Sequence, residues 1–190
     1  PMALPINYPN NWDKRHGKTG YGIWLHGMPA KYASRPPRDS DGCVVLANQD
    51  LLALKDFVDI GSTQVIISEN LDFVPVDLWK SQRQAALKMV KAWRDDLESS
   101  LQTAMRHYSS EVVIDGMPLT EWRNHLPQAA KGLGKVKIEE VSVVKYPSQD
   151  DMILVSFEQN DSLFGQVHKE QYWKKVGTRW QIVQEQSTKL

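Results

Sequence analysis

The chain contains one cysteine, Cys43, and a histidine, His26, that precedes it across a loop. Gly27 follows the histidine directly, and Gly42 directly precedes the cysteine. A thiol becomes a strong nucleophile as its thiolate, and a nearby imidazole lowers the thiol pKa enough to supply that form. The two groups must meet in the fold rather than in the sequence. These residue types predict a cysteine nucleophile with a histidine base.

Two short apolar runs have to position these side chains. Residues 23–25 are typical of a buried strand, so His26 is expected at a strand end. The proline-rich residues 28–41 predict a surface loop. The β-branched residues 44–46 predict a second strand that Cys43 opens. If the two strands pair, we expect the histidine and the cysteine to end on the same edge of one sheet.

The backbone beside the cysteine is a second candidate feature. Gly42 lets the main chain approach a ligand closely, because it has no Cβ. The N–H groups of Gly42 and Cys43 are then placed to bind a developing oxyanion. The alternative is a free cysteine at the start of a strand and a histidine with a structural role, since free cysteine usually behaves as a small buried hydrophobe.

The order of these motifs resembles the L,D-transpeptidase (YkuD-type) catalytic domain of bacterial cell-wall enzymes. The resemblance rests on the His-Gly pair, a loop of this length, and then Ser40-Asp41-Gly42-Cys43 before an apolar run. It is strongest for the subgroup that fuses this domain to an NTF2-like domain. That subgroup includes L,D-carboxypeptidases that trim peptidoglycan stem peptides and shape the cell.

The resemblance implies a role for each residue of the motif. Cys43 would attack the peptide carbonyl, His26 would be its base, and the carbonyl of Gly27 would orient the imidazole. The amides of Gly42 and Cys43 would form the oxyanion hole. The implied reaction cleaves the bond between meso-diaminopimelate and the terminal D-residue through a thioester, by an L,D-carboxypeptidase or an L,D-transpeptidase. The choice between the two stays open, and no cofactor is implied.

Two positions depart from the family motif. The family has histidine before Gly-Cys, where this chain has Asp41, and arginine two residues after the cysteine, where this chain has Val45. That arginine is taken to contact substrate. We expect Arg38, the nearest cation in the loop, to replace it, and Ser40 and Asp41 to contact substrate as well.

The chain is predicted to change domain after residue 74, with a second domain over residues 77–190. Apolar side chains repeat every three or four residues over 78–108 and predict one long helix, with a break near residues 99–100. A helix over residues 51–58 and a core strand over 63–68 are predicted before the boundary. Beyond it we predict a helix over 119–128 and strands over 136–146, 152–159, 165–176 and 179–186.

The second domain resembles the NTF2-like (SnoaL-like) cone, in which a long helix packs on a curved antiparallel sheet. Trp93, Tyr108 and Trp122 carry the resemblance, with residues 155–159 and 174–185. The fold class is therefore predicted as α+β, with a partial, mostly-β YkuD-type domain before the cone. Because this fold hosts many functions, the alternative is a non-catalytic module that binds muropeptide or forms a homodimer.

Composition excludes several classes of function. The 23 basic and 23 acidic residues cancel, so nothing indicates a nucleic-acid partner. No apolar run approaches the roughly 20 residues that span a bilayer, and the first residues do not form a signal peptide. The histidine spacings match no metal-ligand signature. The resemblance covers about residues 5–70, half of a YkuD-type domain, so we expect a fragment of a protein of the periplasm or cell envelope.

Overall fold

The computed structural model describes residues 2–29, 36, 39–70, 73–125, 134–146 and 151–190. Its contacts divide the chain into two compact units, Pro1–Val65 and Ile66–Leu190. The domain boundary predicted at residues 74–77 stays a prediction. Of the helices in the described ranges, none has the length and apolar character that a membrane crossing needs.

The first unit contains a three-stranded sheet in the order β1-β2-β3 and two short helices. Strand β1 is antiparallel to β2, and β2 is parallel to β3. A 3₁₀ turn follows the second helix. The elements are β1 (Ala3–Pro5), α1 (Asn11–Arg15), β2 (Trp24–His26), β3 (Val44–Val45), α2 (Asn48–Leu54) and the 3₁₀ turn Lys55–Phe57.

Helix α1 lies in a segment that its composition predicts as loop. A capping box starts it, because the side chain of Asn10 accepts from the N–H of Asp13 at 2.8 Å and the Asp13 carboxylate accepts from the N–H of Asn10 at 3.2 Å. Trp12 is buried, and its ring lies 4.2 Å from that of His16, centroid to centroid. One capping box and one buried indole stabilise a helix that is too short to show a periodic pattern.

Two predictions for the end of the first unit need correction. Helix α2 begins at Asn48 and ends at Leu54, earlier than the predicted residues 51–58. The strand predicted over residues 63–68 is wrong, because those residues form no strand. Within the described ranges no strand pairs with them, and Ile67 is 64% exposed. Residues with high strand propensity form a strand only where another strand can pair with them.

The second unit contains a six-stranded sheet in the order β5-β4-β9-β8-β7-β6. All neighbours in it are antiparallel except β4 and β9, which are parallel. The elements are α3 (Val76–Ser99), α4 (Leu101–Ala104), the 3₁₀ turn Met105–His107, β4 (Tyr108–Ile114), β5 (Met117–Pro118), α5 (Leu119–Asn124), β6 (Lys137–Lys145), β7 (Met152–Asp161), β8 (Gly165–Val176) and β9 (Arg179–Lys189). The α+β fold class is confirmed.

The long helix packs into the core of the second unit by one apolar stripe. Ala86, Val90, Trp93 and Leu97 are the buried residues of α3 and follow the predicted helical spacing. The predicted break is confirmed at Ser100, whose backbone is extended. The Ser100 hydroxyl caps the next helix by accepting a hydrogen bond from the N–H of Thr103. The break lets the chain turn into α4 while the stripe continues in the same core.

The second unit confirms one further sequence prediction and departs from others. Strand β4 begins at Tyr108, where a helix end is predicted. The irregularity predicted in the first long strand is confirmed, since the β6–β7 register shifts between Glu139 and Ser142 and Glu140 has φ +51°. Helix α5 ends at Asn124, and the predicted helix continued over residues 126–128, which lie outside the described residues.

Candidate active site

The pairing of β2 with β3 decides where the histidine and the cysteine lie. Leu25 is opposite Val44 and His26 is opposite Val45, in parallel strands. His26 is therefore the C-terminal residue of β2, while Cys43 directly precedes the N-terminal residue of β3. The prediction that both end on the same edge is wrong, because a long connection lets β3 run in the same direction as β2.

The two side chains nevertheless share one face of the sheet. His26 pairs with Val45, so these two residues share one face of the sheet. Extending the alternation of faces from Val45 to the residue before β3 places Cys43 on that face as well. Diagonal neighbours on one face are roughly 7–8 Å apart at their Cα atoms, within reach of side chains.

The imidazole has a defined orientation. Nδ1 of His26 is 2.7 Å from the carbonyl oxygen of Gly27, and the histidine is half-buried. Because a carbonyl can only accept, Nδ1 carries the proton and Nε2 keeps its lone pair. This is the contact that the resemblance implies for Gly27. The catalytic roles of the two residues stay a prediction.

The thiol is held by the main chain in this structure. Sγ of Cys43 donates to the carbonyl oxygen of Gly22 at 3.6 Å, and the cysteine is half-buried. Gly22 has φ +65°, a backbone conformation that favours glycine. Within the described ranges no hydrogen bond joins Sγ to the imidazole of His26. Catalytic hydrogen bonds are often long before substrate binds.

The loop before the cysteine contains the other predicted residues. Gly42 has φ +117°, and Ser40 Oγ donates to the carbonyl oxygen of Cys43 at 2.7 Å, which closes a turn around Gly42. In the described residues, the N–H groups of Gly42 and Cys43 donate none of the backbone hydrogen bonds found in turns and loops, and their role as an oxyanion hole stays a prediction. Asp41 is exposed. Arg38 lies outside the described residues.

Sequence reasoning missed two residues beside this site. Trp24 is on the face of His26, two positions before it, and its side chain is 45% exposed. Its i, i+2 spacing from the histidine could have identified it. The second residue is Asn48, in the first turn of α2, whose side chain binds the backbone of Met28.

The second unit buries an ion pair that the sequence pattern does not reveal. Nζ of Lys169 is 2.5 Å from Oε1 of Glu185, and the residues are 4% and 2% exposed. Oε2 of the glutamate accepts from Tyr108 and Gln171, both at 2.8 Å. Burial, with the charge of Glu185, raises the pKa of the Tyr108 hydroxyl well above its ordinary value. The glutamate is thus held by three donors.

The ranges that the structure describes contain no group of three or more histidine, cysteine, aspartate or glutamate side chains that could hold a metal ion. Nε2 of His107 donates to the carboxylate of Asp96 at 2.6 Å.

Two family models match successive parts of the chain. Residues 1–67 match the YkuD model, the L,D-transpeptidase catalytic domain. Residues 85–186, more than half of the 190 residues, match the Cds6 C-terminal NTF2-like domain. Among curated proteins, none matches the chain significantly.

Solved structures agree with the two domain matches. A structure of Bdellovibrio bacteriovorus Bd1075 is 27% identical, with a TM-score of 0.79 over 99% of this chain and 68% of that chain. The helical cell shape determining protein Pgp2 from Campylobacter jejuni is 24% identical, with a TM-score of 0.65 over 98% of this chain and 68% of that chain. The likeness to Pgp2 shows the fold. The chain therefore belongs to the Cds6 C-terminal NTF2-like family, and residues 1–67, which precede that domain, match the YkuD-type L,D-transpeptidase catalytic domain.

Proposed function

We propose that the protein is a cysteine-dependent enzyme that cleaves the L,D bond between meso-diaminopimelate and the terminal D-residue of a peptidoglycan stem peptide. The observation that carries the proposal is the hydrogen bond from Nδ1 of His26 to the carbonyl of Gly27 at 2.7 Å. It leaves Nε2 as the basic nitrogen, on the sheet face that Cys43 shares. The match to an L,D-transpeptidase catalytic domain supports the same chemistry.

The reaction follows from these groups. Nε2 of His26 takes the thiol proton, and the thiolate of Cys43 attacks the scissile carbonyl carbon. The N–H groups of Gly42 and Cys43 stabilise the negative charge on the carbonyl oxygen. The C–N bond breaks, the amine of the leaving D-residue takes the proton from the imidazolium, and a thioester remains on the cysteine.

The acceptor of the thioester defines the type of enzyme. Water, deprotonated by His26, gives a shortened stem peptide and makes the protein an L,D-carboxypeptidase. An amine of a second stem peptide gives a cross-link and makes it an L,D-transpeptidase. We favour the carboxypeptidase, because the resemblance is strongest to the fused subgroup that trims stem peptides. The likeness to a helical cell shape determining protein supports a role in shaping the cell wall.

Trp24 is proposed to contact the substrate. Its indole is 45% exposed on the face that contains His26 and Cys43. An exposed indole beside a nucleophile offers a flat apolar surface against which an aliphatic peptide stem can pack. The proposed location is the periplasm or cell envelope, where peptidoglycan is found.

The test is incubation of the protein with a disaccharide tetrapeptide muropeptide, followed by mass spectrometry of the products. We expect loss of one terminal D-alanine, and no loss with Cys43→Ala. Asp39→Asn is a matched control in the same loop, because Asp39 is exposed and the substitution keeps the side-chain size. A cross-linked product after addition of a second stem peptide would instead identify a transpeptidase.

The alternative is a non-catalytic module that binds muropeptide or dimerises. One observation favours it, because the Cys43 thiol donates to the Gly22 carbonyl rather than to the imidazole. In that case the muropeptide binds without turnover, and Cys43→Ala leaves its affinity unchanged. Calorimetric titration beside the product assay separates the two functions, and sedimentation at several concentrations reports a homodimer.

A further inference from the structure

We propose that Asn48 is a positioning residue that fixes the imidazole of His26 through one peptide group. The inference rests on the proposed function, because it assigns Asn48 to the same histidine–cysteine site. Asn48 acts through the main chain and contributes no group to the reaction.

The peptide group between Gly27 and Met28 is bonded on both sides. Its carbonyl oxygen, from Gly27, is 2.7 Å from Nδ1 of His26. Its N–H, from Met28, donates to Oδ1 of Asn48 at 2.9 Å. Because the peptide is planar, fixing its N–H also fixes the direction of its carbonyl. A hydrogen bond at the N–H further polarises the carbonyl and strengthens it as an acceptor for the imidazole.

A second bond makes the Asn48 contact specific for a carboxamide. Nδ2 of Asn48 donates to the carbonyl oxygen of Met28 at 2.9 Å, so the side chain binds the N–H and C=O of one residue. Met28 is 7% exposed, and buried backbone groups need partners. A carboxamide places a donor and an acceptor side by side in one plane, and asparagine has a shorter reach than glutamine.

The packing around Gly27 leaves no room for a side chain at that position. A Cβ on Gly27 would overlap Oδ1 of Asn48, and it would also lie 3.4 Å from Cδ2 of Leu51. Leu51 is 1% exposed, so the first turn of α2 is anchored in the core of its unit. The carboxamide therefore occupies the space beside Gly27 that a side chain would take. This explains why glycine follows the histidine here.

The test compares Asn48→Ala and Asn48→Asp with Gln49→Ala. Aspartate keeps the size and the acceptor but loses the donor to the Met28 carbonyl. Gln49 is the next residue of α2, is exposed, and is a matched control. Three quantities are measured: the ¹⁵N shifts of the His26 ring, the pH profile of Cys43 alkylation by iodoacetamide, and kcat/KM on tetrapeptide muropeptide.

We expect both Asn48 variants to populate the other histidine tautomer and to shift the alkylation profile. We also expect kcat/KM to fall by about 10- to 100-fold, as when positioning contacts are lost. Gln49→Ala should match the wild type. The inference is overturned if a folded Asn48→Asp protein keeps the wild-type ring shifts and alkylation profile. If the ring shifts change while wild-type protein releases no D-residue, the positioning role stands and the proposed function fails.

Discussion

The first unit holds its histidine at the end of a three-residue strand and its cysteine directly before a two-residue strand, whereas the second unit surrounds an ion pair with a six-stranded sheet. Cys43 is half-buried and bonded to one backbone carbonyl. Lys169 and Glu185 are almost fully buried and share hydrogen bonds with neutral side chains. A nucleophile must meet its substrate, so it needs exposure. A buried ion pair needs every partner that the core can supply.

This contrast separates two kinds of substitution. Changes at the half-buried site should alter rate with little effect on folding, because few contacts are lost. Changes at the buried pair should alter folding, because a charge without its partner stays in the core. Four substitutions, from the largest expected effect to the smallest, test that separation.

Replacing the base should give the largest effect. His26→Ala removes the group that takes the thiol proton, so we expect kcat/KM to fall by about 10²- to 10⁴-fold. The free energy of unfolding should change by less than about 1 kcal/mol, since one partly exposed hydrogen bond is lost. Turnover of muropeptide and urea unfolding measure the two quantities. Retention of most of the activity would contradict the assignment of His26 as base.

Neutralising the buried glutamate should mainly affect folding. Glu185→Gln keeps an acceptor for Tyr108 but leaves Lys169 without a counter-charge, which costs about 3–5 kcal/mol of unfolding free energy. Adding Lys169→Met removes the unpaired charge and should restore most of that loss. Tryptophan fluorescence during urea unfolding measures both variants. If the Glu185→Gln variant is as stable as the wild type, the ion pair does not contribute to the stability of the core.

Truncating the exposed indole should change substrate binding more than chemistry. We expect Trp24→Ala to raise KM about tenfold, or about 1.4 kcal/mol, with kcat within about twofold. Tyr21→Ala is a matched control, because Tyr21 is 92% exposed in the same segment. Steady-state kinetics on tetrapeptide muropeptide distinguishes the two parameters. Equal effects of the two variants would argue against a specific contact by Trp24.

A pH-dependent effect should be the smallest. Burial raises the pKa of Glu170 above its ordinary value of 4.5, and the charge of His168 opposes part of that rise. The folded state therefore prefers the protonated carboxyl, which contributes stability at acid pH and loses it as pH rises through the folded-state pKa. We expect Glu170→Gln to gain stability relative to the wild type from acid to neutral pH, by less than about 1 kcal/mol. Thermal unfolding at several pH values tests the sign.

The sequence predicted those parts of the fold in which local pattern decides structure. The stripe on α3 repeats within a few residues, and Ser100 ends it with its own side chain, so both were predictable. Strand β4 was missed because Tyr108 continues the helical spacing by chance. Residues 63–68 were predicted as a strand from propensity, which contains no information on whether a partner strand is present.

For the site, the sequence identified residue types but not their geometry. Cys43 and His26 were chosen for their chemistry, yet the parallel direction of β3 depends on how the loop between them folds. Asn48 was missed because its bonds to Met28 join residues far apart in sequence. The pair Lys169 and Glu185 was missed because charges in strands usually face solvent.

The bond from the Cys43 thiol to the Gly22 carbonyl bears on oxidative damage. Peroxide oxidises thiolates much faster than thiols, and a sulfur can donate this hydrogen bond only as a thiol. A sulfur that makes this bond is therefore in its less oxidisable form. In the proposed location in the cell envelope, outside the reducing cytosol, this bond would help to keep Cys43 intact between turnovers.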